Sequence, residues 1–446
     1  MENLTGCRQI IWHFFDNVVT VRKRCRGEAS YQYGISTEKA PPMYPPGSVV
    51  DPRTATQASR SFNWFLASTF ISAVGRNGYQ IGCAWILVTQ GYGAAAVAAF
   101  FAIISVTELL TSPFAGWLSD RYDRRLLCVV ADVFRFAGAL ALAVLLIVID
   151  TRWAIWLSAI LFATCDRIAL TSSQSMIPAV GAGLSLPAAN SMVFFLMQSG
   201  SLAAAVLTGV LLHFSIPTYT FTLLAAAFVL SVCFMLAVRR ELSPQSGTGA
   251  DPRSAFQIDA HLLQLGAIYA LLYTGGVLVS VTGPSFVFVE LAGDAIDFGQ
   301  LEGAWSAGSI LGTLLLIPLI RAVRISILQL VILALTAISF ALLKVLDIPW
   351  ALLIFAILGA LYNLGRVGTE VMLQSSVPQT ALGRAKGALH SVGVLLGVVL
   401  FGVVAAVGDE IAPSTIFLAF SFILAVGTLV LTICRVADRR WTAGKG

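Results

Sequence analysis

The chain has 446 residues, of which 57% are hydrophobic and only 11% charged, with a formal net charge of +5. A soluble chain of this size carries roughly 25% charged residues, so most of this one must face something other than water. Composition excludes a water-soluble globular class and points to a polytopic α-helical membrane protein.

The first 60 residues stand apart. "RQIIWHFFDNVVTVRKRCR" is amphipathic and basic, and "APPMYPPGSVVDP" reads as a proline-rich linker. The apolar part is too short and too polar to span a bilayer. Its positive charges follow the apolar run, the reverse of a secretory signal. The segment reads either as a disordered cytoplasmic tail, with Met43 as an alternative start, or as a helix lying on an anionic leaflet.

Beyond it, apolar runs of about 20 residues recur, each long enough to cross a hydrocarbon core of about 30 Å. Twelve spans are expected at 62–89, 94–117, 126–149, 152–174, 187–214, 217–238, 261–290, 301–320, 325–346, 349–374, 385–407 and 412–435. A strand reading fails, because the runs are too long and open sheet edges cannot sit in lipid. The expected fold is all-α, as two six-helix bundles at 61–240 and 261–435. A cytoplasmic linker (241–260) joins them and a short cytoplasmic tail (436–446) follows.

Arginine and lysine set the orientation. One set of loops carries Arg121, Arg124 and Arg125, then Arg239, Arg240 and Arg253, then Arg321 and Arg324, then Arg384 and Lys386. The opposite loops hold Asp294, Asp297, Glu302, Asp409 and Glu410, with Arg152 and Lys344 as exceptions. Both termini are expected in the cytoplasm, and the membrane is expected to be the inner (cytoplasmic) one.

The halves also align with each other at an offset of 200 residues. "QSMIPAV" (174–180) lies against "QSSVPQT" (374–380), Gly75 against Gly275, Arg121 and Arg124 against Arg321 and Arg324, and Arg239 and Arg240 against Arg439 and Arg440. Six spans per half give both halves the same orientation, so an axis along the membrane normal should relate them. Such bundles rock around a site near the midplane.

Between spans 2 and 3 stands "GWLSDRYDRR" (116–125), with five charges in ten residues. It resembles the hallmark G-x-L-A-D-R-x-G-R-R of the major facilitator superfamily, with Asp123 in place of the usual glycine. "DRYDRR", the "ADVFR" that carries Asp132 and Arg135, and "MIPAVGAGLSLPAANS" are most similar to the branch of enterobactin-type siderophore exporters and macrolide efflux proteins. The resemblance implies that this loop latches the two halves. Gly116 belongs to the motif, and Asp120 can accept bonds from helix N-termini of the other half. Arg121, Arg124 and Arg125 can pair with Asp120, Asp123 and Asp132, parting when that side opens. Alternatively the arginines only fix topology, as Ile320 at the position equivalent to Asp120 suggests. The G-P-x-x-x-G of superfamily antiporters is missing from span 5, where Ala204 and Ala205 stand in place of Gly-Pro.

Ionisable groups at membrane depth cost several kcal/mol unless paired or hydrated, so each is a candidate. They are Arg76, Glu108, Asp166, Arg167, Arg366 and Glu370. The resemblance implies that spans 1, 4, 7 and 10, which hold most of them, line the cavity. Glu108 reads either as a proton carrier, loading and releasing a proton as the cavity changes exposure, or as the partner of Arg76 or Arg167. Asp166 is the second proton candidate, and adjacent Arg167 points about 100° away from it. Arg366 and Glu370 are spaced i,i+4 and either neutralise each other or leave Arg366 to bind an anionic group of the substrate. Asn77, Tyr79, Gln80, Gln198 and Gln374 add hydrogen-bonding capacity, and Phe194, Phe195 and Met197 add apolar surface. Apolar walls with a few charges suit an amphipathic molecule better than a sugar, which would want more Asn, Gln and Trp.

The seven cysteines show no C-x-x-C spacing, the four histidines do not cluster, and no phosphate-cradling loop is present, which argues against a disulfide framework, a zinc site and ATP as energy source. No nucleophile–base constellation appears, so an enzyme, a cofactor and a nucleic-acid partner are not expected. The expected function is alternating-access, proton-coupled export of a small amphipathic molecule, a siderophore or drug, by a monomer in the bilayer. Rivals are a lysophospholipid flippase, a metabolite importer, and a non-transporting scaffold or sensor.

Overall fold

The computed structural model describes residues 52–181, 184, 186–239, 260–377 and 379–443. The amphipathic N-terminal segment and almost all of the 241–260 linker therefore lie outside the described residues. Among the described residues twelve α-helices follow one another: α1 (Pro52–Thr89), α2 (Gly93–Arg121), α3 (Arg124–Val148), α4 (Thr151–Val180), α5 (Leu186–Phe214), α6 (Pro217–Ala237), α7 (Ala260–Ser285), α8 (Ala295–Ala322), α9 (Ile325–Leu342), α10 (Trp350–Ser376), α11 (Gln379–Val407) and α12 (Pro413–Ala443). A π-helical turn, Phe286–Glu290, extends α7. Each expected span falls on one helix. In hydrocarbon only a helix bonds every backbone group within its own segment, and ten of the helices are, among the described residues, long and apolar enough to cross a membrane.

Several boundaries move, two of them with a bearing on the site. Helix α1 starts at Pro52, inside the stretch assigned to the tail. Helix α8 starts at Ala295 rather than 301, because Asp294 caps it: its side chain accepts from the Ile296 and Asp297 amides, and Asp297 accepts from the Asp294 amide. This reciprocal pair satisfies amide donors that a helix start leaves open. Asp123 similarly caps α3, accepting from the amides of Arg125 at 2.9 Å and Leu126 at 3.2 Å, which gives a reason for a carboxylate where the motif usually has glycine.

The repeat is visible in the packing. α2 packs on α4, α3 on α4 and α6, and α1 on α5 and α6; the second half repeats this as α8 on α10, α9 on α10 and α12, and α7 on α11 and α12. Gly75 faces the ring of Phe228 on α6, and its counterpart Gly275 faces that of Phe420 on α12. The halves meet through α5 against α8 and α2 against α11, with α7 touching α1 and α2.

The two cations on the acid-rich side have local partners. Arg152 lies over the rings of Tyr92, Trp153 and Trp156, and the Lys344 ammonium donates to Ser414 and Thr415 at the start of α12. On the same side, the hydrogen bond from Tyr92 to Asp150, 2.7 Å long, holds the Asp150 carboxyl below its ordinary range.

Candidate functional site

Contacts between the halves run from the acid-rich end to mid-depth. At that end the His213 ring (α5) lies 2.9 Å from Asp294, the cap of α8. Asp409, after α11, accepts from the Ala95 amide in the first turn of α2 at 3.2 Å. These are equivalent junctions, since α5–α8 and α11–α2 exchange under the repeat. One turn deeper the backbones of Gly209 and Gly299 touch, so a Cβ on Gly209 would stand 2.9 Å from the Gly299 Cα. Trp85 of α1 stacks on Phe298 of α8 at 5.2 Å. Ser306 donates to Ser201 across the halves at 3.2 Å. At the arginine-rich end, by contrast, Asp120 is exposed, and a Cβ on Gly116 would meet nothing within 4 Å.

Below this closure lies a cavity of about 190 Å³ between the halves, with Asn77 and Gln80 (α1), Gln198 and Ser201 (α5), Ser280 (α7), Glu302, Trp305 and Ser306 (α8), and Tyr362, Asn363 and Arg366 (α10) in its wall. Of the residues singled out in the sequence, it gathers Asn77, Gln80, Gln198 and Arg366. The Arg366 guanidinium sits 5.8 Å over the Phe194 ring. The wall carries Asn, Gln and Ser side chains beside one Trp and the apolar Ile81, Ala84, Phe101 and Phe298, so it is more polar than the expected apolar wall: these helices turn their amides inward. They bury a polar surface that their mean hydropathy conceals.

Glu302 was assigned to a loop and is instead two turns inside α8, facing the cavity. Among the described residues it makes no ion pair or hydrogen bond. Asn363 is buried, and its amide nitrogen has no hydrogen-bond partner. Trp305 and Tyr362, whose rings lie 5.4 Å apart, were missed as well. The readable signal for Glu302 was the Asp294/Asp297 capping pair, which fixes where the helix begins.

Other sequence candidates lie elsewhere. Asp166 binds Arg135 at 2.7 Å and approaches Arg76 to 3.8 Å. Arg135 also binds Asp132, which accepts from Ser231 at 2.7 Å and Ser72 at 3.4 Å. This network ties α1, α3, α4 and α6 inside the first half and borders a separate pocket of about 50 Å³ that Arg76 lines. Arg167 donates to Ser112 on α2 and, like Glu370, is not in the central wall. Glu108 is partly buried and makes no ion pair among the described residues, so the expected pairing with Arg76 or Arg167 is not what the structure holds. Tyr79 is core: it stacks on Phe162 at 3.8 Å and bonds Ser158.

In this structure the loop arginines bond elsewhere than at Asp132. Arg124 donates to the carbonyls of Ser119 and Ser175, and Arg125 to those of Met235 and Leu236 in the last turn of α6. A helix C-terminus presents orphan carbonyls and partial negative charge, and these lie nearer than Asp132, which is held by Arg135. Arg121 stacks on Trp117 at 5.6 Å.

The sequence model described as Major Facilitator Superfamily matches residues 65–393. No curated protein matches the sequence. Among solved structures, the nucleoside transporter NupG is similar at 16% identity and a TM-score of 0.65, covering 84% of this chain and 98% of that one. A mutant of NupG is similar at 14% and 0.66, covering 84% and 99%. A bacterial homologue of the iron transporter ferroportin in its inward-facing state is similar at 16% and 0.65, covering 84% and 97%. At these identities the likeness concerns the fold.

Proposed function

The chain belongs to the major facilitator superfamily, and we propose that it moves a small polar solute across the inner membrane by alternating access. The observation that carries this reading is the central cavity, walled by both halves, rich in hydrogen-bonding side chains and sealed toward the acid-rich end. The positive-inside rule puts the arginine-rich end in the cytoplasm, which makes the arrangement an inward-facing one. In this state Asp120 is disengaged, as a cytoplasmic latch would be when its side is open.

The wall discriminates among substrates. Stripping water from amides and hydroxyls is costly unless a ligand replaces those bonds. A hydroxylated or amide-bearing solute does so; an apolar drug or the tail of a lysophospholipid does not. A polar siderophore or a metabolite is therefore favoured, and nucleosides, which NupG's name gives as its cargo, are of this kind. For proton coupling, Glu108 is favoured over Asp166, because two arginines already hold Asp166.

Proteoliposomes holding the full chain test this. Radiolabelled uridine, a catecholate siderophore, a macrolide and a lysophospholipid are offered under an imposed pH gradient. Movement of a polar solute that Asn363→Leu and Gln198→Leu abolish supports the reading. Movement of only the macrolide or the lysophospholipid overturns it.

A further inference from the structure

The geometry points to a dipolar solute in the central cavity, with a cationic group at Glu302 and an anionic group at Arg366. This rests on the transport reading above and names the chemical class of its cargo.

The cavity wall holds one carboxylate and one guanidinium, Glu302 and Arg366, and they do not pair with each other. Their separation follows from the helices. α8 and α10 run in the same direction and touch where Gly359 meets the backbone of Trp305. Glu302 lies three residues from Trp305 toward the closed end, and Arg366 lies seven residues from Gly359 toward the open end. Counted from that contact the two lie ten residues apart, and counted from Gly308 against Ala356 sixteen, so at 1.5 Å rise they stand roughly 15–24 Å apart along the axes, which the reach of the two side chains shortens. A carboxylate in such a wall, with no protein cation, is costly unless something positive completes it. Arg366 lies over the Phe194 ring, bonds Tyr362 and has Glu370 as its charged neighbour; its fork of five donors keeps further N–H groups for a carboxylate or phosphate.

Between the charges the wall supplies neutral groups. The unpartnered amide of buried Asn363 lies one turn from Arg366 and needs an acceptor. Trp305 and Tyr362 provide ring surface for the connecting part of the molecule. The closed end excludes exit past Glu302, so the solute enters from the arginine-rich side with its cationic group leading.

The test measures thermal stabilisation of the full chain in detergent by matched six- and eight-carbon probes. These are 6-aminohexanoate and 8-aminooctanoate with both charges, hexanoate and octanoate with the anion only, and hexylamine and octylamine with the cation only. At least one amino acid should bind tenfold or more tightly than its singly charged relatives. Glu302→Gln should reduce its affinity to that of the plain acid while leaving the acid unchanged. Arg366→Gln should reduce it to that of the amine, and Arg366→Lys should restore part. Equal binding of singly charged and dipolar probes overturns the assignment, as does wild-type affinity in Glu302→Gln or no binding across the series. A Glu302 that only carries a proton would give wild-type affinity in Glu302→Gln with an altered pH profile, which also overturns it. Failure of the transport reading is seen separately, as proteoliposomes that move none of the polar solutes.

Discussion

His213 and Asp294 join the two halves at 2.9 Å through the Asp294 Oδ2, while Oδ1 of the same carboxylate accepts the amides that cap α8. The pair binds closure of the cavity to the start of the helix that carries Glu302. It is an ion pair only with His213 protonated. Both side chains are more than a third exposed, and such a pair is worth at most about 1 kcal/mol. His213→Ala should therefore raise the population open at the acid-rich end by no more than about fivefold. Labelling of a Ser201→Cys reporter by a membrane-impermeant thiol reagent from that side measures this. A rate that the substitution leaves unchanged would remove the role.

Gly209 should matter more than His213. Its added Cβ would stand 2.8 Å from the Ala295 carbonyl oxygen and 2.9 Å from the Gly299 Cα, both backbone atoms with little room to move. Forcing extra carbon into a packed contact costs about 1–3 kcal/mol, here charged to the closed state alone. Gly209→Val should leave folding intact and shift the population away from this state by roughly five- to a hundredfold. Spin labels on α5 and α8 near the acid-rich end should report a longer distance distribution; an unchanged one refutes the contact's role.

How much of this could be read in the sequence depends on what sets each feature. Span number and order were legible because hydrocarbon demands long apolar helices whatever their neighbours are. The 200-residue repeat was legible because Gly75 and Gly275 answer the same need, room for an aromatic ring of the sixth helix of each half. Wall polarity was not legible. Which face of α1 or α10 turns inward depends on how closely helices approach at Gly359 and Gly299, a tertiary matter. Asp132 and Arg135 stood out as charges, but Ser231, the partner of Asp132, lies 99 residues away. Glu302 was hidden by a six-residue error in one helix start.

Arg125 links the opening motif to the end of the first half, donating to the carbonyls of Met235 and Leu236. In the second half the link runs the other way: Arg435 of α12 reaches the Ser326 carbonyl at the start of α9 at 2.5 Å. Arg125→Ala should lower the thermal midpoint by a few degrees, since charge-assisted bonds to a partly buried helix end contribute about 1–2 kcal/mol. Arg125→Lys, which lacks the fork, should recover only part. If alternating access slowed while the midpoint held, Arg125 would belong to the latch instead of the scaffold.

The buried network around Arg135 should be the most sensitive feature of the first half. Arg135 is 3% exposed and binds two carboxylates, with its ring-side face 5.1 Å over Phe228. Removing one partner of a buried ion pair costs about 3–5 kcal/mol, because the remaining charge loses its compensation. Asp132→Ala should therefore lower the thermal midpoint sharply, since it also removes the 2.7 Å bond from Ser231 and leaves that hydroxyl the longer one to the Ser68 carbonyl. Asp132→Asn keeps an acceptor for that hydroxyl and should cost less. Asp166→Asn leaves Arg135 with Asp132 but also takes a neighbour from Arg76, so it should fall between the two. Because Asp132 and Asp166 share Arg135, the Asp132→Asn/Asp166→Asn double variant should lose more than the sum of its parts. Strict additivity of the midpoint shifts would mean that Arg135 does not couple the two carboxylates.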